Sequence, residues 1–332
     1  MRKFFKYTFI ISIALIIVYL VGPKVHFEKT KILDTDIDTS IENLEEYIRN
    51  KESKIKDLKP GNEAKIIWAN DSLKQKTEYA VVYLHGFSAC EMEGNPLHRN
   101  FAKRYGCNLY LPRLEDHGRA DTNSFQLLTP ENYLQSAEDA IDIAKKLGDK
   151  VIVMACSSGC TLAAAIASAG EKIDGLIFYS PNIDIFDKTS DLTVGPWGKE
   201  ITSLVMKGER NHIKYDSFSQ QYWNATYHIN GIFALKTLIN EYMSEENFIK
   251  IKQPLFMGYY FKDEEHQDKV VSVKRMLEFY DQVGTPENLK RKVAFPEANA
   301  HVITSSYKSK EYDRVQSETY KFAEEILGMH VK

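Results

Sequence analysis

From about residue 64 onward, short unbroken apolar runs alternate with longer stretches in which apolar residues recur at helical spacing. Residues 79–84, 108–111, 151–156, 175–179 and 254–260 are runs of strand length. Residues 65–69 and 292–295 are shorter candidates for strands. Between them, 130–147 places Tyr133, Ala137, Ala140, Ile141 and Ala144 at helical spacing, and 160–168 is rich in alanine. Residues 271–282 and 312–327 complete the set of predicted helices. A strand without polar alternation is one buried on both faces. Strands of that kind separated by helices predict a mostly parallel sheet with helices on both sides.

Two intervals break this alternation. Residues 183–250 hold Phe186, Trp197, Tyr222, Trp223, Tyr227 and Phe233, with helical spacing at Ile232, Leu235, Ile239 and Tyr242. No strand is predicted there, and the interval is expected to form a helical cap inserted between two strands of the sheet. Most of its aromatic residues are expected to make the cap's own core.

The other interval is the N-terminus. Arg2, Lys3 and Lys6 lead into an apolar run that ends at Gly22 and Pro23. Its length of about 18 residues is close to what a bilayer crossing needs. The sequence Leu20-Val21-Gly22-Pro23 is a poor cleavage site, which favours an uncleaved anchor over a removable signal segment. The cationic flank would then stay in the cytoplasm and the rest of the chain outside it, periplasmic in a bacterium, or secreted if the segment is cleaved. The expected organisation is an anchor or signal segment at 1–23 and a stalk with one helix at 24–63. A catalytic domain follows at 64–328, with the cap at about 183–250.

Composition narrows the functions this architecture could serve. The 332 residues carry a formal net charge of −3, so no basic surplus points to nucleic acid. No zinc-ligand spacing and no glycine-rich phosphate loop is present, and neither a metal nor a cofactor is expected. The four cysteines, Cys90, Cys107, Cys156 and Cys160, are read as buried free thiols rather than a disulfide framework.

The chemistry is expected at the ends of the apolar strands. The run at 151–156 passes directly into the alanine-rich helix through Ala155-Cys156-Ser157-Ser158-Gly159. A serine after a strand commonly caps the following helix. A nucleophile at such a turn instead requires small residues two before and two after it, because the backbone there is crowded. Ser157 meets this with Ala155 and Gly159. Ser158 would be flanked by Cys156 and Cys160, and Cys156 by Met154 and Ser158, so both fit less well. The strand at 79–84 ends in His85-Gly86-Phe87, where Gly86 allows close backbone approach. Phe87 N–H and Ser158 N–H are the expected oxyanion donors, and such a donor contributes about 3–4 kcal/mol. His85 is assigned a structural role in that loop. His301, in a loop after the last predicted strand, is the candidate base. The acid is expected after the strand at 254–260, among Asp263, Glu264, Glu265 and Asp268. Asp268 is favoured over Asp263, and Asp184 is a less usual alternative.

Together, His85-Gly86-Phe87, Ala155-Cys-Ser157-Ser-Gly159, Asp268-Lys-Val-Val and His301 resemble the α/β-hydrolase superfamily, and within it the carboxylesterase and monoacylglycerol-lipase-like hydrolases. The resemblance covers about residues 64–328. Asp116-His117-Gly118 resembles the Gly-His-Gly loop of that superfamily, with Asp116 in the place of the first glycine. The resemblance implies a Ser157–His301–Asp268 triad that cleaves a carboxylic ester of a small or lipophilic acyl group through an acyl-enzyme. An amidase, a thioesterase, an acyltransferase and a non-catalytic membrane-tethered binding protein are the alternatives. The expected partners are the ester substrate and, through the N-terminal segment, a membrane.

Overall fold

The computed structural model describes residues 2–31 and 37–332, residues 2 and 3 by their backbone only. Part of the predicted stalk, residues 32–36, therefore lies outside the described residues, as do Met1 and the side chains of Arg2 and Lys3. In chain order the strands are β1 (Lys65–Ile67), β2 (Thr77–Leu84), β3 (Asn108–Leu111), β4 (Gly148–Cys156), β5 (Gly175–Tyr179), β6 (Arg210–His212), β7 (Thr226–His228), β8 (Leu255–Tyr259) and β9 (Lys290–Ala294).

Seven of these form one sheet in the order β1-β3-β2-β4-β5-β8-β9. All its pairings are parallel except the edge pair β1–β3. β3, β5 and β8 are buried at every position, as unbroken apolar strands covered on both faces must be. In register, Leu84 pairs with Ala155 and Cys156 with Tyr179. The C-terminal ends of β2, β4 and β5 therefore meet at one edge of the sheet, where an open α/β sheet places its ligand crevice.

The helices supply the two covers. One face packs under α4 (Pro130–Leu147), α5 (Ser158–Ser168), α8 (Asn230–Tyr242) and α10 (Val273–Gln282), and the other under α3 (Leu97–Tyr105) and α11 (Tyr312–Glu325). Fully buried rings such as Tyr133 and Phe178 on the first face and Phe101 and Phe322 on the second anchor the cores, each worth roughly 1.5–3 kcal/mol of burial. α4 starts on a capping box, with Thr129 and Asn132 bonding each other's backbone N–H and Pro130 at the first helical position. α2 (Leu44–Glu52) lies near β1 and pairs Glu52 with Arg113. α3 is not among the predicted helices, although Leu97, Phe101, Ala102 and Tyr105 stand at helical spacing and are buried.

The interval between β5 and β8 holds α6 (Gly198–Met206), α7 (Ser217–Tyr222) and α8, followed by α9 (Glu245–Phe248). One expectation is corrected here: β6 and β7 pair antiparallel within this interval. At three residues each, they are too short for a period of two to register in the sequence. Lys236 of α8 is almost fully buried and pairs with Asp184 and Asp191, which ties α8 to the start of this interval.

α1 (Arg2–Leu20) stands apart from both cores, with every side chain from Phe4 to Leu20 exposed. Trp197 holds its end, donating through Nε1 to the Val18 carbonyl (3.1 Å) and through its backbone N–H to Pro23 (2.7 Å). No helix among the described residues is long and apolar enough to cross a membrane.

Candidate active site

Ser157 sits between β4 and α5 with φ 54° and ψ −121°, a backbone conformation that costs a non-glycine residue about 1–3 kcal/mol. Its peptide groups are held on all sides. Ser157 N–H donates to Tyr179 O (3.0 Å), and Ser157 O accepts from Cys160 N–H (3.0 Å) and Asn182 N–H (3.1 Å). The turn requires glycine at 159, where a Cβ would collide with the Leu84 carbonyl of β2. The side chain of Ser157, 8% exposed, opens into a cavity of about 370 Å³ that His301 also lines.

His301 lies in the loop after β9. Its Nδ1 is 2.6 Å from Asp268 Oδ2, and its carbonyl accepts from Ser180 Oγ (2.6 Å). Asp268, 1% exposed, takes two backbone N–H groups on its other oxygen, from Val270 (2.8 Å) and Val271 (3.1 Å). With Asp268 accepting, Nδ1 carries the proton and Nε2 is left as the basic nitrogen. Burial works against a charged imidazole, but the charge and hydrogen bond of Asp268 outweigh it and raise the His301 pKa above its ordinary value. The structure does not bring the other acidic candidates to His301. Asp263 is exposed and pairs with His266 (2.9 Å), Glu264 accepts from Gln267, and Asp184 is engaged by Lys236 and Lys188. Glu265 is exposed as well.

The loop after β2 completes the site. His85 is fully buried, and its Nε2 accepts from Leu114 N–H (3.2 Å), which leaves Nδ1–H to donate to Gly86 O (3.0 Å). Burial lowers its pKa to about 4, so it stays neutral and structural. The Gly86 carbonyl belongs to the same peptide plane as Phe87 N–H, so His85 orients that donor. Neither Phe87 N–H nor Ser158 N–H bonds an acceptor among the described residues. Ser158 Oγ is held by Tyr133 OH at 2.9 Å. Asp116 explains its own departure from glycine: it adopts the left-handed conformation (φ 59°), and its carboxylate engages Arg119 and the Phe125 N–H. His117 is buried and stacks on Tyr133.

The cavity wall opposite the sheet edge is apolar and aromatic, with Ile213, Trp223, Tyr227 and Leu235 among its residues. Two residues near the reacting atoms carry no sequence signal of their role. Tyr133 appears in the sequence as an ordinary core position of a helix. Glu93 lies in a run, Glu91-Met92-Glu93, for which the sequence predicts no role, yet both glutamates are buried. Only the fold shows what they face.

No protein-family model and no curated protein matches the chain. Solved structures do. A metagenome-derived lipolytic enzyme aligns with a TM-score of 0.62 at 16% identity, over 80% of this chain and 98% of its own. A soluble variant of monoglyceride lipase from Saccharomyces cerevisiae, solved with a substrate analogue, aligns at 0.59 and 13% identity over 78% and 90%. Est1E from Butyrivibrio proteoclasticus, with ferulic acid bound, aligns at 0.54 and 17% over 80% and 95%. At such identities the likeness is one of fold.

Proposed function

The chain has the α/β-hydrolase fold, and from that premise we propose that it is a serine hydrolase of carboxylic esters with an apolar or aromatic acyl group. The observation that carries this reading is the buried Asp268–His301 pair facing the same cavity as a serine on a strained strand-to-helix turn. His301 Nε2 removes the Ser157 proton as Oγ attacks the ester carbonyl, and Asp268 holds the tautomer and offsets the imidazolium charge. Phe87 N–H and Ser158 N–H receive the oxyanion. His301 then protonates the leaving alcohol, and water, activated by the same nitrogen, releases the acid and restores Ser157. The lipolytic enzyme and the monoglyceride lipase among the similar structures support an ester substrate, and the apolar cap wall supports an acyl chain rather than a polar one. The test is fluorophosphonate labelling and hydrolysis of a short p-nitrophenyl ester. Wild-type protein is expected to do both and Ser157→Ala neither; a Ser157→Ala variant with undiminished turnover would rule the reading out.

The same proposal keeps the N-terminal stretch as a point of attachment to a membrane. The exposed stretch from Phe4 to Leu20 contains one charged residue, Lys6, and at 1.5 Å per residue spans roughly 26 Å, against a bilayer core of ~30 Å. Release of the full-length chain into the soluble fraction without detergent, or a mature N-terminus lacking this stretch, would refute attachment through it.

A further inference from the structure

The carboxyl of Glu93 has no part in the mechanism above, yet it lines the same cavity as Ser157 and His301 and is 2% exposed. Its Oε1 accepts the Gly86 N–H and lies 3.4 Å from Tyr83 OH. No donor reaches Oε2 among the described residues. A Cβ placed on Gly86 would lie 3.1 Å from both Glu93 Oε2 and Ser157 Cβ, so the carboxyl and the nucleophile flank one point of the loop. The Glu93 backbone is tied in as well. Its carbonyl accepts from Thr304 Oγ1 (3.0 Å), three residues beyond His301. One residue thus connects the oxyanion loop, the nucleophile turn and the histidine loop.

We propose that Glu93 is a further positioning residue of this active site, its carboxyl fixing the Gly86 amide and so the loop presenting Phe87 N–H to the substrate. The inference rests on the serine hydrolase reading.

His85 already holds the peptide that contains Phe87 N–H, and Glu93 holds the peptide before it. With both clamped, the donor is set before substrate arrives, which is the condition for strong oxyanion stabilisation. The charge state of Glu93 then matters. A carboxylate here would oppose the negative charge that develops on the substrate oxygen, whereas a neutral carboxyl would not.

Burial raises the Glu93 pKa to about 8, despite the opposing effects of the Gly86 N–H, the His301 imidazole and the Tyr83 hydroxyl. The titratable groups around it are Tyr83 on β2, Tyr133 on α4, Cys156 and Cys160 at the nucleophile turn, Tyr215 opposite the sheet edge, and His301. Burial raises the tyrosines and cysteines above their ordinary values, so they stay neutral through this range. Cys90, three residues before Glu93, is raised in the same way. No lysine or arginine is hydrogen-bonded to the Glu93 carboxyl among the described residues. Glu91 is separate, with its own ion pairs to Arg99 and Lys65.

The experiment compares wild type, Glu93→Gln and Glu93→Ala by steady-state hydrolysis of p-nitrophenyl acetate and by the rate of fluorophosphonate labelling, from pH 6 to 10. Wild type is expected to lose kcat as pH rises through about 8, where Glu93 ionises. Glu93→Ala is expected to lower kcat on the order of 10²-fold at neutral pH with KM little changed, as for a misplaced oxyanion donor. Glu93→Gln keeps the acceptor oxygen and cannot ionise. It is expected to rescue most of that kcat and to abolish the alkaline loss. A wild type without an alkaline loss, or a Glu93→Gln variant that keeps it, overturns the proposal, and neither result depends on the alanine variant folding. A wild type that labels at Ser157 while its Glu93 variants behave identically to it removes only this inference. A wild type that neither labels nor hydrolyses the ester removes the serine hydrolase reading and this inference with it.

Discussion

The two walls of the cavity are built on different principles. On the sheet side, every candidate reacting group stands at the end of a buried strand or on a loop pinned by backbone hydrogen bonds, and small displacements are blocked by close contacts such as Gly159 against Leu84. The wall opposite is made from side chains of the inserted interval, Ile213 after β6, Trp223 after α7, Tyr227 on β7 and Leu235 on α8, joined to the rest by contacts such as Asn224 N–H to Ser88 O (2.7 Å) and His228 N–H to Ser124 O (2.9 Å). The sheet edge can hold atoms to the tolerance that chemistry demands. The opposite wall meets that edge at the loop after β2, where the Tyr227 ring lies 5.4 Å from that of Phe87, and away from this contact it is free to vary. Under the serine hydrolase reading, the first wall sets rate and the second sets substrate preference.

Substitutions on the two walls should therefore differ in size and in kind. The largest effect after loss of Ser157 is expected at Asp268. Asp268→Asn should lower kcat on the order of 10⁴-fold by releasing the His301 tautomer. Asp263→Asn, at an exposed residue paired only with its neighbours, should stay within about twofold of wild type, inside the spread of an ordinary surface change. The reverse ranking in steady-state kinetics would move the acid to the exposed part of the same loop and break the assignment of rate to the buried wall.

A smaller effect concerns pH. In the proposed mechanism His301 acts as a base only when neutral, and Asp268 raises its pKa. Activity should therefore rise with pH, with its midpoint above the imidazole's ordinary 6.5, and in Asp268→Asn the residual activity should rise at lower pH. An unchanged acid limb in that variant would separate His301 from the base role.

The smallest effect is expected opposite the sheet edge. Trp223→Ala should change KM for long-chain p-nitrophenyl esters by about tenfold, the scale of a few methylene contacts. The rate of fluorophosphonate labelling should stay near that of wild type. An equal loss for short and long esters would mean that this wall also sets rate, and the comparison would fail.

Much of the sheet side was legible along the chain because its determinants are local. Unbroken apolar runs report burial on both faces, and Ala155 and Gly159 report the crowding around Ser157. The chain order of Ser157, Asp268 and His301 was legible too, although proximity in sequence could not separate Asp268 from Asp263. That choice depends on which carboxylate the turn after β8 buries and which it leaves in solvent. The short β6–β7 pair was not legible, since a three-residue strand has no measurable period, whereas α3 carries helical spacing at Leu97, Phe101, Ala102 and Tyr105 and was legible without having been predicted.

By itself, then, the sequence determined the α/β layering and placed the candidate serine and histidine at strand ends, because burial and backbone crowding restrict which residues a local position accepts. Only the tertiary structure decided that Asp268 meets His301, that His85 and Glu93 clamp successive peptides of one loop, and that Glu93 is enclosed beside Ser157. Those outcomes depend on groups distant in the chain arriving at one point, where the environment supplied by neighbours, rather than the residue type, sets charge and role.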